Sequence, residues 1–299
     1  MVGIMAVDLT LFWISIGCVF VIVSLFYMIS RILKKTEFEI IAKSEFKQAI
    51  ISIAICFGAL ALASVFVEVS KAAMTDVVKA QGLQQSETMW FDYSENYIRG
   101  LTVTGTKMLV EFWTIGFTLR HMKLGSLSLK NPLVPAITFS VVTGVSEILG
   151  RYIEVLDMLF SFFVGSLNVQ LILLQFFKAI AIEFILPAGI ILRAIPPTRS
   201  GGSFLIALAF GLYIVFPFGY VVSGEVSKTV WEEYKKLPQP SKTLIEVAFP
   251  SIPQTFSTLF NLFDSFSLLI PQATIIPLFV FTITIAFVNS FTEFIREFD

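Results

Sequence analysis

The amino-acid sequence predicts an all-α, polytopic membrane protein with about seven transmembrane helices. Of its 299 residues, 56% are hydrophobic and only 14% are charged, whereas a soluble domain carries about 25% charged residues. Several apolar runs are each long enough to cross roughly 30 Å of hydrocarbon at about 1.5 Å per residue. Lys and Arg are enriched in the short segments on one side of these runs, which is typical of cytoplasmic loops. We therefore expect one helical membrane domain over residues 1–299.

The central hairpin, residues 168–222, organises the rest of the chain. It reads as two membrane-spanning helices joined by the basic turn AIPPTRSGG, residues 194–202. Proline cannot continue a helix, and glycine permits a sharp reversal of the chain. The turn contains both residue types: Pro196, Pro197, Gly201 and Gly202. Because Arg193 and Arg199 flank the reversal, the turn is predicted to face the cytoplasm.

The other predicted spans are residues 9–30, 49–67, 101–119, 132–150 and 268–291. The span 101–119 is the weakest, since it carries Lys107 and Glu111, and the count falls to six if this segment is not inserted independently. The apolar segment 151–167 has two open interpretations. It is either a re-entrant or outer interfacial segment, or a kinked extension of the fourth helix.

The distribution of positive charge predicts a plasma-membrane protein with its N-terminus outside and its C-terminus in the cytoplasm. Outer segments are then expected at 68–100 and 224–267. Short amphipathic helices are predicted to lie in the membrane interface at 36–48 and 255–267, and a further short amphipathic helix is predicted at 226–234. An outer belt is predicted where four aromatic side chains gather before the third span: Trp90, Phe91, Tyr93 and Tyr97.

The residues that enzymes need are scarce in this sequence. Its single histidine, His121, and its two cysteines, Cys18 and Cys56, offer no histidine cluster or disulfide framework. The chain lacks a Walker A loop and the GxGD, GxSxG and HExxH motifs, so it is not expected to hydrolyse ATP or to act as an intramembrane hydrolase. We therefore predict a protein that is not an enzyme and that has neither a cofactor nor a metal.

Charged residues inside the predicted spans are candidate functional residues. A charge at the bilayer centre costs roughly 2.5–3.5 kcal/mol, so it should face protein or water. The set comprises Lys107, Glu111, Glu147, Lys178 and Glu183. Glu111 and Lys178 fall at similar predicted depth, and we expect an ion pair between them. These charges either fix helix packing or line a conduit or proton relay.

The basic turn is a second candidate site. Ser200 to Ser203 can cap the sixth span, whose N-terminus favours anions, and Arg199 beside it could bind a phosphate of a lipid, a nucleotide or DNA. The alternative is a loop that merely anchors the protein on the inner side. A docking point for a cytoplasmic partner is the functional interpretation.

The hairpin sequences LPAGIILRAIPPTRSGG and FLIALAFGLYIVFP resemble polytopic archaeal membrane proteins that act in DNA transfer, in particular the Ced-type DNA-import proteins. That family is similar to the polytopic inner-membrane channel component of conjugative type IV secretion systems. The resemblance implies a subunit of a DNA-translocating complex that works with a HerA-type ATPase, small pilin-like membrane proteins and copies of itself. The residues that it implies shape and dock the inner end of the channel are Leu186, Pro187, Gly189, Arg193, Pro196, Pro197, Arg199, Gly201 and Gly202.

Two other functions stay open at the level of sequence. A stand-alone secondary transporter or channel would use the intramembrane charges for a small solute. A structural subunit would scaffold another membrane complex without a conduit of its own. Partners and stoichiometry distinguish these from a machine subunit, because a solute carrier works without an ATPase.

Overall fold

The structure, a computed structural model, describes residues 10–33, 40, 43–44, 46–58, 61, 64–65, 68, 89–124, 137–236 and 252–297. All elements in these ranges are helical. In chain order they are α1 (Thr10–Leu33), α2 (Phe46–Gly58), α3 (Met89–Leu124), α4 (Ile137–Ile180), a π-helical segment (Ala181–Ile185), α5 (Leu186–Arg193), a 3₁₀ turn (Pro196–Thr198), α6 (Arg199–Phe210), a second π-helical segment (Gly211–Val215), α7 (Phe216–Lys236) and α8 (Ile252–Arg296).

Four helical stretches in the described part of the chain are long and apolar enough to cross a bilayer. They are Thr10–Ile32, Gly150–Arg193, Pro196–Ser227 and Phe260–Arg296. Helix α2 is apolar but shorter. The prediction of an all-α protein is therefore confirmed, and the apolar helices indicate a protein embedded in a membrane. The exact count of seven spans stays a prediction, because parts of the predicted spans 49–67 and 132–150 lie outside the described residues.

Several predicted boundaries fall inside continuous helices. The predicted spans 132–150 and 168–193 are not joined by a separate segment, because α4 runs unbroken from Ile137 to Ile180. The re-entrant interpretation of residues 151–167 is therefore wrong, and an extension of the fourth helix is confirmed. Charged residues lower the hydropathy there, but Arg and Glu are good helix formers and no proline interrupts the segment.

The same continuity occurs in the last two helices. Helix α7 joins the end of the predicted sixth span to the amphipathic segment 226–234. Helix α8 joins segment 255–267 to the last predicted span and contains both Pro271 and Pro277. A change from apolar to amphipathic character therefore does not end these helices.

The chain forms two compact units. Unit 1 comprises Met1–Asn96, Ile172–Ser223 and Leu278–Asp299, and unit 2 comprises Tyr97–Leu171 and Gly224–Pro277. In unit 1, α6 packs against α5, and α5 also packs against α1. The hairpin turn and the ends of its two helices lie in this unit.

Unit 2 has a hydrophobic core built by α3, α4 and α8. Fourteen buried residues form the cluster, with Phe160 at its centre. The ring of Phe160 stacks on Phe266 with the centroids 3.6 Å apart, and the edge of Phe112 approaches it at 5.3 Å. Gly105 and Gly116 contribute to the close packing, because a Cβ atom at either position would lie about 3.0 Å from a neighbouring side chain.

Candidate functional site

The hairpin turn is held by its own backbone hydrogen bonds. At the end of α5, the N–H of Ala194 donates to the carbonyls of Ile190 and Ile191, at 3.3 and 3.1 Å. The N–H of Thr198 donates to Ile195 at 3.1 Å, and its hydroxyl donates to the carbonyl of Leu192 at 2.8 Å. The reversal is thus completed within residues 194–198 and is closed by these hydrogen bonds.

The outer face of the turn is open. Pro196, Pro197 and Thr198 are exposed, as are Ser200 and Gly201 at the start of α6. The turn is held by hydrogen bonds and its outer residues are exposed. Such a segment is preorganised for docking, because it would lose little conformational entropy on binding a partner.

Arg193 fixes the turn from inside unit 1. Its side chain is only 1% exposed. Its Nε donates to Ser52 Oγ of α2 at 2.7 Å, and one terminal nitrogen donates to Ser203 Oγ of α6 at 2.6 Å. The other terminal nitrogen lies 3.4 Å from the carbonyl oxygen of Ile295 in α8. One guanidinium therefore joins α5 to three other helices, and we call this set the Arg193 cluster.

This arrangement corrects the prediction that Arg193 lies at the cytoplasmic surface of the turn. A planar guanidinium has five donors in a fixed fork, which lets it satisfy several acceptors at once. The serine hydroxyls also hydrogen-bond within their own helices, Ser52 to Gln48 at 2.8 Å and Ser203 to Arg199 at 3.1 Å. Arg193 therefore has a structural role in this cluster, while Arg199 is partly exposed.

Two glycines allow the helices of the hairpin to approach closely. A Cβ atom at Gly202 would lie 2.4 Å from the backbone nitrogen of Arg193 and 2.7 Å from the carbonyl oxygen of Gly189. A Cβ atom at Gly189 would lie 2.9 Å from the backbone nitrogen of Ile206. Small residues bring membrane helices into backbone contact in this way. By contrast, a Cβ atom at Gly201 would meet nothing within 4 Å.

The start of α6 differs from the prediction. The helix begins at Arg199, its N-cap is Thr198, and no side chain caps it. Ser200 and the two glycines therefore lie inside the helix, and the predictions that Ser200 to Ser203 cap it and that the glycines make the reversal are wrong. The prolines and the backbone bonds of residues 194–198 make the reversal. Ser200 Oγ instead accepts a hydrogen bond from Arg296 at the end of α8.

The ion pair of Lys178 is also different from the one predicted. Lys178 Nζ lies 2.9 Å from Asp92 Oδ1 of α3, and both side chains are 34% exposed. The Lys178 ammonium also lies 5.8 Å from the centroid of the Phe91 ring. One turn away, Gln175 donates to Glu95 at 3.0 Å. The expected Glu111–Lys178 pair is thus replaced by a pair between α3 and α4 within unit 1.

The other predicted intramembrane charges lie on several helical elements. Lys107 is exposed and Glu111 is partly buried on α3, in unit 2. Glu183 is partly buried in the first π-helical segment, in unit 1. Glu147 lies in α4, and its side chain falls outside those that the structure describes.

The predicted aromatic belt is largely buried. Trp90, Phe91 and Tyr93 are 6%, 1% and 3% exposed, whereas belt residues sit at the lipid surface. Trp90 and Phe91 pack against Tyr213, with ring centroids 5.8 and 5.3 Å away. These rings therefore belong to the interior of unit 1, and the belt prediction is wrong for them.

Sequence reasoning missed a repeated pattern in the hairpin. Each π-helical segment ends two residues before a proline, Pro187 or Pro217, and a glycine follows each proline by two residues. A proline leaves the carbonyl four residues earlier without its helical donor. For Pro217 that carbonyl belongs to Tyr213, and Trp90 Nε1 donates to it at 3.3 Å. The paired motifs LPAG and FPFG were the available signal, and π-helical segments are frequent at functional sites.

No protein-family model, curated protein or solved structure matches this chain. The geometry of the hairpin and the chemistry of its residues therefore carry the functional argument.

Proposed function

We propose that this protein is a non-catalytic, multi-pass subunit of a DNA-transfer or DNA-import channel complex, similar to those of type IV secretion. The hairpin turn supports this proposal, because its inner side is fixed by the Arg193 cluster while Pro196, Pro197 and Thr198 remain exposed. A rigid exposed loop suits a stable contact with another protein. The partner that the sequence resemblance implies is a HerA-type ATPase, and small pilin-like proteins and further copies of the chain complete the complex.

The proposed orientation places the turn and the C-terminus in the cytoplasm and the N-terminus outside the plasma membrane. The Arg193 cluster supports it, because Ser52, Arg193 and Ile295 bring the middle of α2, the turn and the end of α8 to one level. Arg199 and Arg296 lie at that same level, as expected of a cytoplasmic face.

A stand-alone transporter of a small solute is the second candidate. Its supporting observation is Glu183, which sits partly buried in a π-helical segment of a long apolar stretch. Within the described residues, no hydrogen bond or ion pair involves its carboxyl group. A carboxyl group in hydrocarbon is costly, so a polar conduit or another chain would be its natural surroundings.

The first experiment places a photo-crosslinking amino acid at Pro197 in the native membrane, with a matched probe at the exposed Tyr152 in unit 2. A channel subunit should crosslink to a HerA-type ATPase from position 197 and much less from position 152. Arg199→Glu should reduce DNA uptake at least tenfold at an unchanged amount of membrane-inserted protein. Arg31→Glu, at the exposed end of α1, is the matched charge reversal and should preserve uptake.

The outcomes separate the three functions. Crosslinking without any effect on DNA uptake would indicate a scaffold of another complex. The protein could instead purify as a monomer without the ATPase and support solute flux in liposomes. If Glu183→Gln abolished that flux, the protein would be a transporter and the channel-subunit proposal would be wrong.

A further inference from the structure

A groove on α1 opens to the surface of unit 1. It has a volume of about 440 Å³ and is lined by Phe20, Val23, Ser24, Tyr27 and Met28 of α1 and by Lys43 and Phe46 of the following segment. Most of this lining is apolar. Volumes of about 300–1,000 Å³ are typical of small-molecule sites.

The two helices beside the groove run antiparallel. Phe12 near the start of α1 packs edge-on against Phe57 near the end of α2, with the ring centroids 6.0 Å apart. Lys43 and Phe46 meet residues much later in α1. The two ends of the groove therefore differ. Phe20 lies towards the apolar end, and Tyr27 and Lys43 lie towards the polar end. The section from Phe20 to Tyr27 extends about 10 Å at 1.5 Å per residue.

The polar end of the groove lies at a basic boundary of the apolar helix. Arg31 occupies the last turn of α1, and Lys43 is exposed. The apolar end lies on a candidate span, and Val21 and Leu25 of that span are more than half exposed. The groove is apolar along most of its length and basic at one end. This arrangement suits a phospholipid whose acyl chain lies in the apolar part and whose anionic headgroup lies at the basic end. Basic pockets beside transmembrane helices bind such headgroups.

We propose that this groove binds an anionic phospholipid, with an acyl chain along Phe20, Val23 and Phe46 and the headgroup phosphate at Lys43 and Tyr27. A second copy of the chain fits the groove less well. A two-fold contact whose axis passes through this groove would bring the two Lys43 side chains close together, and like charges across an interface are unfavourable. The proposal does not depend on the function proposed above.

The test is lipid binding to the full-length protein by native mass spectrometry, with phosphatidylglycerol as the anionic probe and phosphatidylcholine as the zwitterionic probe. Phosphatidylglycerol should bind more tightly. Lys43→Gln should weaken its binding about fivefold, the value of one cation near a membrane surface. Lys47→Gln is the matched control, because Lys47 is an exposed cation four residues away that does not line the groove.

A second pair of variants tests the acyl-chain part of the site. Ser24→Trp fills the groove from an exposed position and should reduce phosphatidylglycerol binding at least fivefold. Leu25→Trp places the same ring on an exposed neighbour outside the groove and should leave binding unchanged. Unchanged thermal unfolding of both variants verifies that each is folded.

Three results would overturn the proposal. Equal weakening by Lys43→Gln and Lys47→Gln would mean a general attraction to the basic surface. Unchanged binding in Ser24→Trp would show that no acyl chain occupies the groove. A dimer that is lost in Ser24→Trp while lipid binding persists would make a second copy the occupant.

Discussion

Units 1 and 2 bury polar groups in different ways. In unit 1, a fully buried guanidinium joins four helices through directional hydrogen bonds, and the hairpin helices meet at backbone contact. In unit 2, an aromatic and aliphatic cluster forms the core. The buried polar side chains described there are uncharged: Gln170, Ser227, Ser265 and Gln272.

This difference has consequences for how each unit tolerates substitution. Dispersion contacts in an aliphatic core are individually small and non-directional, so volume-conserving replacements usually cost less than about 1.5 kcal/mol. A buried cation requires donors and acceptors at fixed positions, and its free-energy cost is large when they are lost. The stability of unit 1 should therefore depend strongly on a few residues. The stability of unit 2 should depend on many apolar residues, each of which can be replaced at small cost.

The largest expected effect is at Arg193. Arg193→Lys keeps the charge but replaces the fork with one ammonium that cannot serve Ser52, Ser203 and Ile295 together. A buried charge with incomplete partners costs about 3–5 kcal/mol, so the variant should show a markedly lower melting temperature in detergent. Arg193→Met removes the charge and leaves both serines bonded to their own helices, so it should cost less than Lys.

The reference in unit 2 is Phe266→Leu, which keeps an apolar side chain in the core and should cost less than Arg193→Lys. Wild-type stability of the Lys variant would show that the guanidinium fork does not hold the cluster. If Arg193→Met is less stable than Arg193→Lys, the positive charge at position 193 matters more than the geometry of the guanidinium.

The next effect is at the glycines of α6. Gly202→Val introduces atoms where the Cβ alone would lie 2.4 Å from the backbone of Arg193, and overpacking of this kind costs about 1–3 kcal/mol. Gly201→Val makes the same change where nothing lies within 4 Å. Thermal unfolding of the pair, measured side by side, should show a loss at 202 that is clearly larger than at 201. Equal losses would attribute the effect to helix propensity instead of helix contact.

The hairpin was predictable because local chemistry defines it. Two prolines between two long apolar runs end one helix and start another, and no tertiary contact is needed to place that reversal. The burial of Arg193 was not predictable in the same way. Its partners Ser52 and Ile295 are more than a hundred residues away in sequence, and a basic residue beside a turn ordinarily indicates a solvent-exposed boundary.

The boundaries between spans were the weakest part of the prediction, for a different physical reason. Hydropathy reports where a helix can contact lipid, whereas the helix itself requires only satisfied backbone hydrogen bonds and permitted dihedral angles. Charged residues near Arg151 end an apolar run without ending α4. Asp92 was missed as the partner of Lys178 because the pair, 86 residues apart, leaves no local signal.

A smaller effect is expected for the ion pair. Lys178→Asp should destabilise the protein by about 1 kcal/mol, since pairs that are partly exposed contribute little. Asp92→Lys in the same protein restores opposite charges and should recover most of the loss. Glu111→Lys is the matched compensating change at the partner predicted from sequence, and it should recover none. Rescue by Lys at 111 in place of 92 would contradict the Lys178–Asp92 pair.

A last effect of similar size tests whether buried polar side chains in unit 2 compensate for backbone donors that are missing. Pro277 has no N–H, so the carbonyl of Ala273 lacks its helical donor. Gln170 Nε2 and Ser166 Oγ donate to that carbonyl at 3.1 and 2.9 Å. Gln170→Leu should cost about 0.5–1.5 kcal/mol, the usual net value of a hydrogen bond.

The same substitution should cost less in a Pro277→Ala background, because Ala restores the N–H and the carbonyl regains a helical partner. A double-mutant cycle by thermal unfolding measures this coupling directly. A coupling near zero would mean that Gln170 stabilises unit 2 through packing and that the proline does not determine the position of the amide. A clear coupling would mean that Gln170 compensates for the N–H that Pro277 lacks, whereas Arg193 in unit 1 joins separate helices through a charged side chain.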